Sequence, residues 1–174
     1  MSKSRSQLKI LVQVALLVAI EVVLSRWCSI ATPFVKIGFA FVPLAVCGML
    51  FGPVWAGIAG GLADFLGANL FPIGPYFPGF TLSALLTGVV FGLCLYRKEI
   101  KWGHIVTAVA VNHLVISLFL TTLWIHLLYG APYPQLLATR VLQNAIMIPI
   151  EFTVLRMIQK PVVHYAAYAQ LTSG

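Results

Sequence analysis

Three basic residues of this chain, Arg26, Lys36 and Arg140, stand apart from its other lysines and arginines. The other eight lie near the two termini and in one short segment: Lys3, Arg5, Lys9, Arg97, Lys98, Lys101, Arg156 and Lys160. Short segments rich in lysine and arginine mark the cytoplasmic side of a membrane protein. The three separate cations therefore fall on the outer side, where basic residues are scarce. Cations gathered there predict a pocket that captures an anionic ligand from outside the cell.

The acidic residues point to the same interior. Three of the four acids, Glu21, Asp64 and Glu151, fall within long apolar stretches. A charge inside a membrane is costly, so it faces an ionic partner or a polar cavity. For Glu21 and Asp64, contact with a ligand and structural pairing both fit the predicted depth. Glu151 lies about 25 Å along its helix, near the inner face, where we expect a structural pairing with Arg156 or Lys9.

Arg140 carries the strongest indication of an anion site, because it lies about 9 Å inside its predicted helix. A long basic side chain at a helix end reaches lipid headgroups readily, which explains Arg26 alone. Reach to the headgroups does not explain why three cations share the outer side, where basic residues are scarce. Asn144 follows Arg140 by one helical turn on the same face, so its amide is also a candidate ligand contact.

Tyr76, Phe77 and Phe80 lie in or beside residues 71–79, a loop rich in proline and glycine. Such a composition indicates a rigid, irregular segment. One explanation of its aromatics is the interfacial belt found in most membrane proteins. The other is a lid over a flat ring, and the sequence is compatible with both.

The composition excludes a soluble domain. Hydrophobic residues make up 60% of the 174 residues and charged residues 9%, whereas a soluble domain of this size has about 25% charged residues. Apolar runs of about 18 to 25 residues recur, each long enough to cross a bilayer as a helix. Because lipid cannot pair free backbone groups, these runs must be helical. The net charge of +7 is a topological signal and not evidence for nucleic-acid binding.

We predict an all-α integral membrane protein, a bundle of six transmembrane helices in a single domain that covers residues 1–174. The predicted helices run from about 7 to 27, 37 to 51, 54 to 70, 80 to 96, 104 to 128 and 135 to 158. With both termini cytoplasmic, this arrangement puts every basic loop on the inner side.

Small residues recur at four-residue spacing, as Ala15 with Ala19, and as two glycine pairs at 57 and 61 and at 88 and 92. Such stripes let helix backbones approach closely in lipid, either within one bundle or against another membrane subunit. The sequence has no catalytic constellation, no metal-ligand spacing and no P-loop. An energised transporter built on this chain would therefore need its ATPase from another polypeptide.

Taken together, these residues resemble the substrate-binding S component of energy-coupling factor (ECF) vitamin transporters, and in particular the folate-specific members. The resemblance spans nearly the whole chain and is densest in Leu24-Ser-Arg26, Ile37-Gly-Phe39, Gly48-Met-Leu-Phe-Gly-Pro-Val-Trp-Ala-Gly57, Gly60-Gly-Leu-Ala-Asp64 and Gly74-Pro-Tyr-Phe-Pro-Gly-Phe-Thr-Leu-Ser83. Ala15 and Ala19 match the docking motif of the family's first helix.

The resemblance implies a six-helix bundle in the bacterial plasma membrane that binds one vitamin in an outward cavity. It implies a membrane scaffold subunit and two ATPase subunits as partners. The chain itself is then expected to bind no cofactor and no metal, the partner subunits use ATP, and the vitamin is released inward as the bundle topples in the membrane.

Folate also fits the residues. Its glutamate carboxylates would pair with Arg26, Lys36 or Arg140. Asp64 or Asn144 would accept hydrogen bonds from its pterin edge, and Glu21 could reach the same cavity. The rings would stack on aromatic side chains of the proline-rich loop.

Two other functions stay compatible with the sequence. One is an S component for another vitamin, riboflavin or thiamine, although cationic thiamine suits the outer cations poorly. The other is a membrane scaffold or assembly subunit that binds no vitamin and whose outer cations touch lipid phosphates. An intramembrane enzyme is disfavoured because the chain has no ordered nucleophile and base.

Overall fold

The computed structural model describes the backbone of residues 2–31, 36–96 and 101–171, and side chains within 7–29, 37–96 and 101–165. Within these ranges the chain is helical except for one short β-hairpin and the connecting loops. The elements are α1 (Ser2–Arg26), β1 (Ser29–Ala31), β2 (Lys36–Gly38), α2 (Phe41–Phe51), α3 (Pro53–Leu70), α4 (Pro78–Leu95), α5 (Trp102–Ala110), a π-helical segment (Val111–Thr121), α6 (Thr122–Tyr129) and α7 (Tyr133–Leu171).

Four helices in the described part of the chain are long and apolar enough to cross a membrane. They are Gln7–Arg26, Pro78–Leu95, the continuous rod Trp102–Tyr129 and Tyr133–Tyr165. Large apolar side chains such as Leu11, Leu142 and Met157 are exposed on them, as expected for surfaces that face lipid. α2 is a shorter apolar helix, and α3 packs beside it. The chain is therefore a multi-helix membrane protein.

The antiparallel hairpin β1–β2 lies at the end of the bundle where α1 ends, here called the hairpin end. Ser29 faces Gly38 across it, and Ile30 faces Ile37. A Cβ at Gly38 would collide with the side chain of Ser29, so the strands can approach only at a glycine. The second helix accordingly begins at Phe41 and not at about 37, because these residues pair as a strand.

α3 and α4 form the closest helix pair in the described bundle. A Cβ at Gly88 would overlap the carbonyl oxygen of Ala56, and one at Gly92 would overlap Pro53. A Cβ at Gly60 would lie 2.5 Å from the carbonyl oxygen of Ala84. The glycine stripe of α4 therefore serves packing inside the bundle, where small residues let two backbones touch.

The π-helical segment interrupts the rod Trp102–Tyr129 near its middle. Two hydroxyl groups reach back five residues along the rod: Thr121 Oγ1 donates to the Ile116 carbonyl at 3.0 Å and Thr122 Oγ1 to the Ser117 carbonyl at 3.3 Å. π-helical turns change the direction of side chains and are frequent at functional sites. Asn112 and His113, both buried, lie in this segment.

The last helix is longer than its predicted range of about 135 to 158. It runs from Tyr133 to Leu171 and contains Pro149 and Pro161. A proline removes one helical hydrogen bond, but Pro161 and Met157, the residue one turn before it, are both exposed, so surrounding solvent or headgroups can compensate. Pro161 therefore does not end the helix.

We predict that Gly88→Ala lowers the free energy of unfolding by about 1–3 kcal/mol, the usual cost of overpacking a tight contact. The added methyl group must separate α3 from α4. Gly103→Ala is the matched control, since a Cβ there meets nothing within 4 Å. Thermal unfolding of both variants in detergent would measure the difference, and equal stability of the two would contradict the close-packing account.

Candidate small-molecule binding site

A cavity of about 410 Å³ lies inside the bundle and reaches towards the hairpin end. This volume is within the range of small-molecule sites, about 300–1,000 Å³. The loop between α3 and α4 and the β-hairpin contribute residues at one end of the cavity: Gly38, Ile73, Gly74, Pro75 and Tyr76. The middle of the molecule contributes the other end, with Thr87, His113 and Glu151. The cavity is therefore elongated along the helices.

Arg26 is the last residue of α1 and its side chain turns towards α3. Its Nε atom lies 2.9 Å from where a Cβ of Gly67 would be, so the glycine leaves room for the guanidinium group. Asp64, one turn deeper on α3, attracts this charge electrostatically. Asp64 also accepts a hydrogen bond of 2.8 Å from Thr81 Oγ1 on α4. Arg26 and Asp64 thus hold opposite charges on one wall of the cavity.

Arg140 supplies the second cation, from α7, and its side chain is only 6% exposed. Its Nη1 donates to Gln143 Oε1 at 3.0 Å. The buried Nε has no hydrogen-bond partner among the described residues. A buried guanidinium with a donor left over needs a counter-charge, and the cavity that it lines is open to an anionic ligand.

The floor of the cavity is built around His113. Its Nε2 lies 2.8 Å from Glu151 Oε2 and its Nδ1 lies 3.0 Å from Asn144 Oδ1. Asn144 is fixed in turn, since its Oδ1 accepts from Ser117 Oγ at 2.9 Å. Both ring nitrogens therefore face acceptors, an arrangement that an imidazolium satisfies. The contact between His113 and Glu151 links the π-helical segment to α7.

The prediction that Glu151 pairs with Arg156 or Lys9 was wrong. Arg156 instead lies over the Trp102 ring, with its Cζ 4.6 Å from the ring centroid. Lys9 is exposed on α1. Glu151 faces the bundle interior because it shares a helical face with Arg140 and Asn144. On that face it contacts His113, and not Arg156 or Lys9.

Aromatic side chains cover the cavity near the hairpin end. The Phe77 ring lies 6.0 Å from that of Phe80 and 5.8 Å from that of Trp124. Trp124 Nε1 donates to Ser83 Oγ at 3.1 Å, which fixes the group against α4. Tyr76 packs edge-on against Phe65 at 5.8 Å. Flat rings held at these angles can stack on a planar ligand.

Seven of the nine residues predicted to contact a ligand line this cavity: Glu21, Arg26, Asp64, Tyr76, Phe77, Phe80 and Arg140. Asn144 does not line it and instead holds His113. The side chain of Lys36 lies outside the described residues, although its backbone pairs with Ala31 in the hairpin.

Sequence reasoning missed His113, Glu151, Gln143 and Trp124 as parts of the site. A usable signal existed on α7, where Arg140, Gln143, Asn144 and Glu151 fall on one helical face. No such signal marked Trp124, which reaches the cavity only through packing with Phe77.

Apart from Asp64, which lies beside Arg26, the charges of the cavity follow an order along its length. Arg140 lies 7 residues from the start of α7 and Glu151 lies 18 residues from it, so about 16 Å of helix separates them. Arg26 lies at the hairpin end, like Arg140. A ligand that satisfies the whole cavity must therefore be long, anionic at one end and rich in hydrogen-bond donors at the other.

An apolar helical bundle with a large, charged interior cavity is the architecture of a membrane protein that binds a small molecule. The model of the family described as "ECF transporter, substrate-specific component" matches residues 9–159. The chain belongs to this family of transporter components, and it is accordingly not an enzyme.

Two relatives are named folate transporter FolT. The one from Clostridium novyi (strain NT) is 39% identical over 149 residues, which cover 86% of this chain and 87% of the relative. The one from Leuconostoc mesenteroides is 30% identical over 146 residues, which cover 80% and 78%.

Among the solved structures that match are these two. The crystal structure of FolT bound with folic acid is 37% identical, has a TM-score of 0.83 and covers 87% of this chain and 92% of that one. The S component for biotin from an ECF-type transporter has a TM-score of 0.65 at 17% identity, with coverage of 90% and 93%. The second similarity shows a shared fold.

We predict that His113→Leu lowers the free energy of unfolding by about 3–5 kcal/mol, because it leaves the Glu151 carboxylate buried without its partner. Replacing both residues by leucine should recover most of this loss. Unfolding of the single and double variants in detergent tests the pair. A double variant as unstable as His113→Leu would show that the two side chains do not act on each other.

Proposed function

We propose that this chain is the folate-binding subunit of an ATP-driven ECF importer, and that it captures the vitamin outside the cell and releases it inside. The observation that carries the proposal is the order of charges along the cavity. Folate has two carboxylates on its glutamate tail and adjacent N–H donors on its pterin ring, at opposite ends of a long molecule. The folic acid in the similar FolT structure supports the same ligand.

The arginines near the hairpin end suit the glutamate tail. Arg140 has an unpaired Nε in the part of the chain that is described, and Arg26 is the nearest other cation of the cavity wall. Charge-assisted hydrogen bonds between guanidinium and carboxylate are among the strongest available. Lys36, in the hairpin beside them, is proposed as a third cation.

The carboxylates of the cavity suit the pterin ring. Glu151 lies deepest, and Glu21 lies 5 residues before Arg26 on α1, about 8 Å further from the hairpin end. Asp64 lies about one helical turn deeper than Gly67, which contacts the Arg26 guanidinium. Phe77 and Phe80 then lie along the cavity where the ring systems pass, with Tyr76 at its rim.

The charges also argue against the nearest alternatives. Cationic thiamine would meet Arg26 and Arg140 with like charge. Riboflavin is neutral and has no carboxylate for the two arginines to bind. A scaffold without a ligand would leave a cavity of about 410 Å³ with buried, unpaired polar atoms, which is costly.

For the membrane arrangement, we propose six spans with both termini cytoplasmic, in the bacterial plasma membrane. α2 and α3 would be the two spans beyond the four long apolar helices. The hairpin end then faces outward, and the basic residues near both termini and around 97–101 lie inside.

For partners, we propose a membrane scaffold subunit and two ATPase subunits that use ATP, with no cofactor on this chain. Ala15 and Ala19 are both exposed on α1, amid exposed Leu11, Val12 and Leu16. A groove of alanines between larger side chains lets another helix approach closely. This face of α1 is the proposed docking surface.

Calorimetric titration of the purified chain in detergent tests the ligand. We expect tight, one-to-one binding of folic acid and no binding of riboflavin or thiamine. A folded sample that binds no folic acid would overturn the proposal.

We predict that Arg140→Gln weakens folic acid binding by about 10- to 150-fold, the equivalent of one lost charge-assisted hydrogen bond. Arg156→Gln is the matched control, because Arg156 belongs to the same helix and does not line the cavity. Both affinities come from the same titration. Equal affinities of the two variants would remove Arg140 from the site.

We predict that Ala15→Trp combined with Ala19→Trp abolishes ATP-driven folate uptake by the assembled complex and leaves folic acid binding by the single chain unchanged. The two indole rings would fill the docking groove. Leu142→Trp, at an exposed position of α7, controls for a bulky residue in lipid. Uptake at the wild-type rate in the double variant would refute the docking role.

A further inference from the structure

A second, smaller cavity of about 190 Å³ lies between α4, the π-helical segment and α7. The residues that line both cavities are Phe41, Ser83, Ala84, Thr87, His113, Thr121 and Glu151. The smaller cavity therefore adjoins the floor of the larger one, at His113 and Glu151. We call it the floor chamber.

Asn112 lines the floor chamber and does not line the larger cavity. Its side chain is 7% exposed, and neither amide atom has a hydrogen-bond partner within the described ranges. An unpaired amide in a protein interior costs about 1–3 kcal/mol. No described residue pairs with this amide, and the floor chamber that it lines is where a ligand can supply the partner.

The other polar groups of the floor chamber define what that partner can be. Glu151 binds His113 through Oε2, whereas its buried Oε1 has no partner among the residues described. Both nitrogens of His113 are engaged, so the ring has no N–H to offer. The buried groups of the chamber that no described residue pairs with are a carboxylate oxygen and an amide that can both donate and accept.

This set of groups rejects an anion and fits an amide-like edge. A ligand carboxylate would meet Glu151 with like charge. A heterocycle that presents N–H donors beside a carbonyl group would satisfy Glu151 Oε1 and both atoms of the Asn112 amide. The 2-amino-4-oxo edge of a pteridine has this pattern.

We propose that the floor chamber is a specificity subsite in which Asn112 and Glu151 hydrogen-bond the amino and lactam edge of the pteridine ring. The inference rests on the proposed function, since it assigns one end of the folate molecule. Asn112 then selects the ring, whereas the arginines near the hairpin end hold the tail.

The test uses Asn112→Leu, a substitution of similar size that breaks no side-chain hydrogen bond to a described residue. It should leave thermal stability unchanged or raise it. We expect the affinity for folic acid to fall by about 5- to 150-fold, because the buried groups of the ring lose their partner. Asn69→Leu is the matched control, on the exposed part of α3 and away from the cavity. Asn112→Ala serves as a second variant if the leucine variant does not fold.

Pteroic acid, which is folic acid without its glutamate, identifies the end of the ligand that Asn112 contacts. The loss of affinity in Asn112→Leu should be the same for both ligands, since both keep the pteridine. A loss seen with folic acid alone would put Asn112 at the tail and overturn the assignment. Wild-type affinity of Asn112→Leu for folic acid would overturn the subsite altogether, as for a chamber that holds only water. Failure of the wild-type chain to bind folic acid would instead overturn the proposed function.

Discussion

The contact between His113 Nε2 and Glu151 Oε2, 2.8 Å long, is the interaction on which the interior of this protein depends. A carboxylate in the middle of a membrane bundle is unstable without a partner. His113 compensates it from the π-helical segment and is itself held by Asn144, so one network joins two spans. Within the described residues, the network uses only one oxygen of Glu151. Its other oxygen is left for the cavity, and the stabilising pair thereby also forms the floor of the binding site.

The order of charges along the cavity follows from the deep position of the contact between His113 and Glu151. The two arginines near the hairpin end can be compensated by an anionic ligand, whereas the deep carboxylate needs a buried partner from the protein. The close α3–α4 pair gives the site a firm wall, where Asp64 accepts from Thr81 across the helix contact. The site thus orients a two-ended ligand through the positions of its charges, before any single contact is considered.

The class of protein could be predicted from composition and hydropathy, and family membership confirms it. Charge segregation along the chain pointed to Arg26 and Arg140, and both line the cavity. The pairing of His113 with Glu151 could not be predicted, because 38 residues separate them and a π-helical turn sets the direction of His113. The strand Lys36–Gly38 was missed for another reason. It forms through the contact of Gly38 with Ser29 on the other strand of the hairpin, and a hydropathy pattern does not indicate such a contact.

An experimental structure of the chain with folic acid tests the central claim most directly, namely that the order of charges orients the ligand. The account predicts the glutamate carboxylates within hydrogen-bond distance of Arg26 or Arg140, and the pteridine ring next to Glu151. A ligand bound in the opposite direction, with its carboxylates towards Glu151, would contradict the account even if folic acid binds tightly.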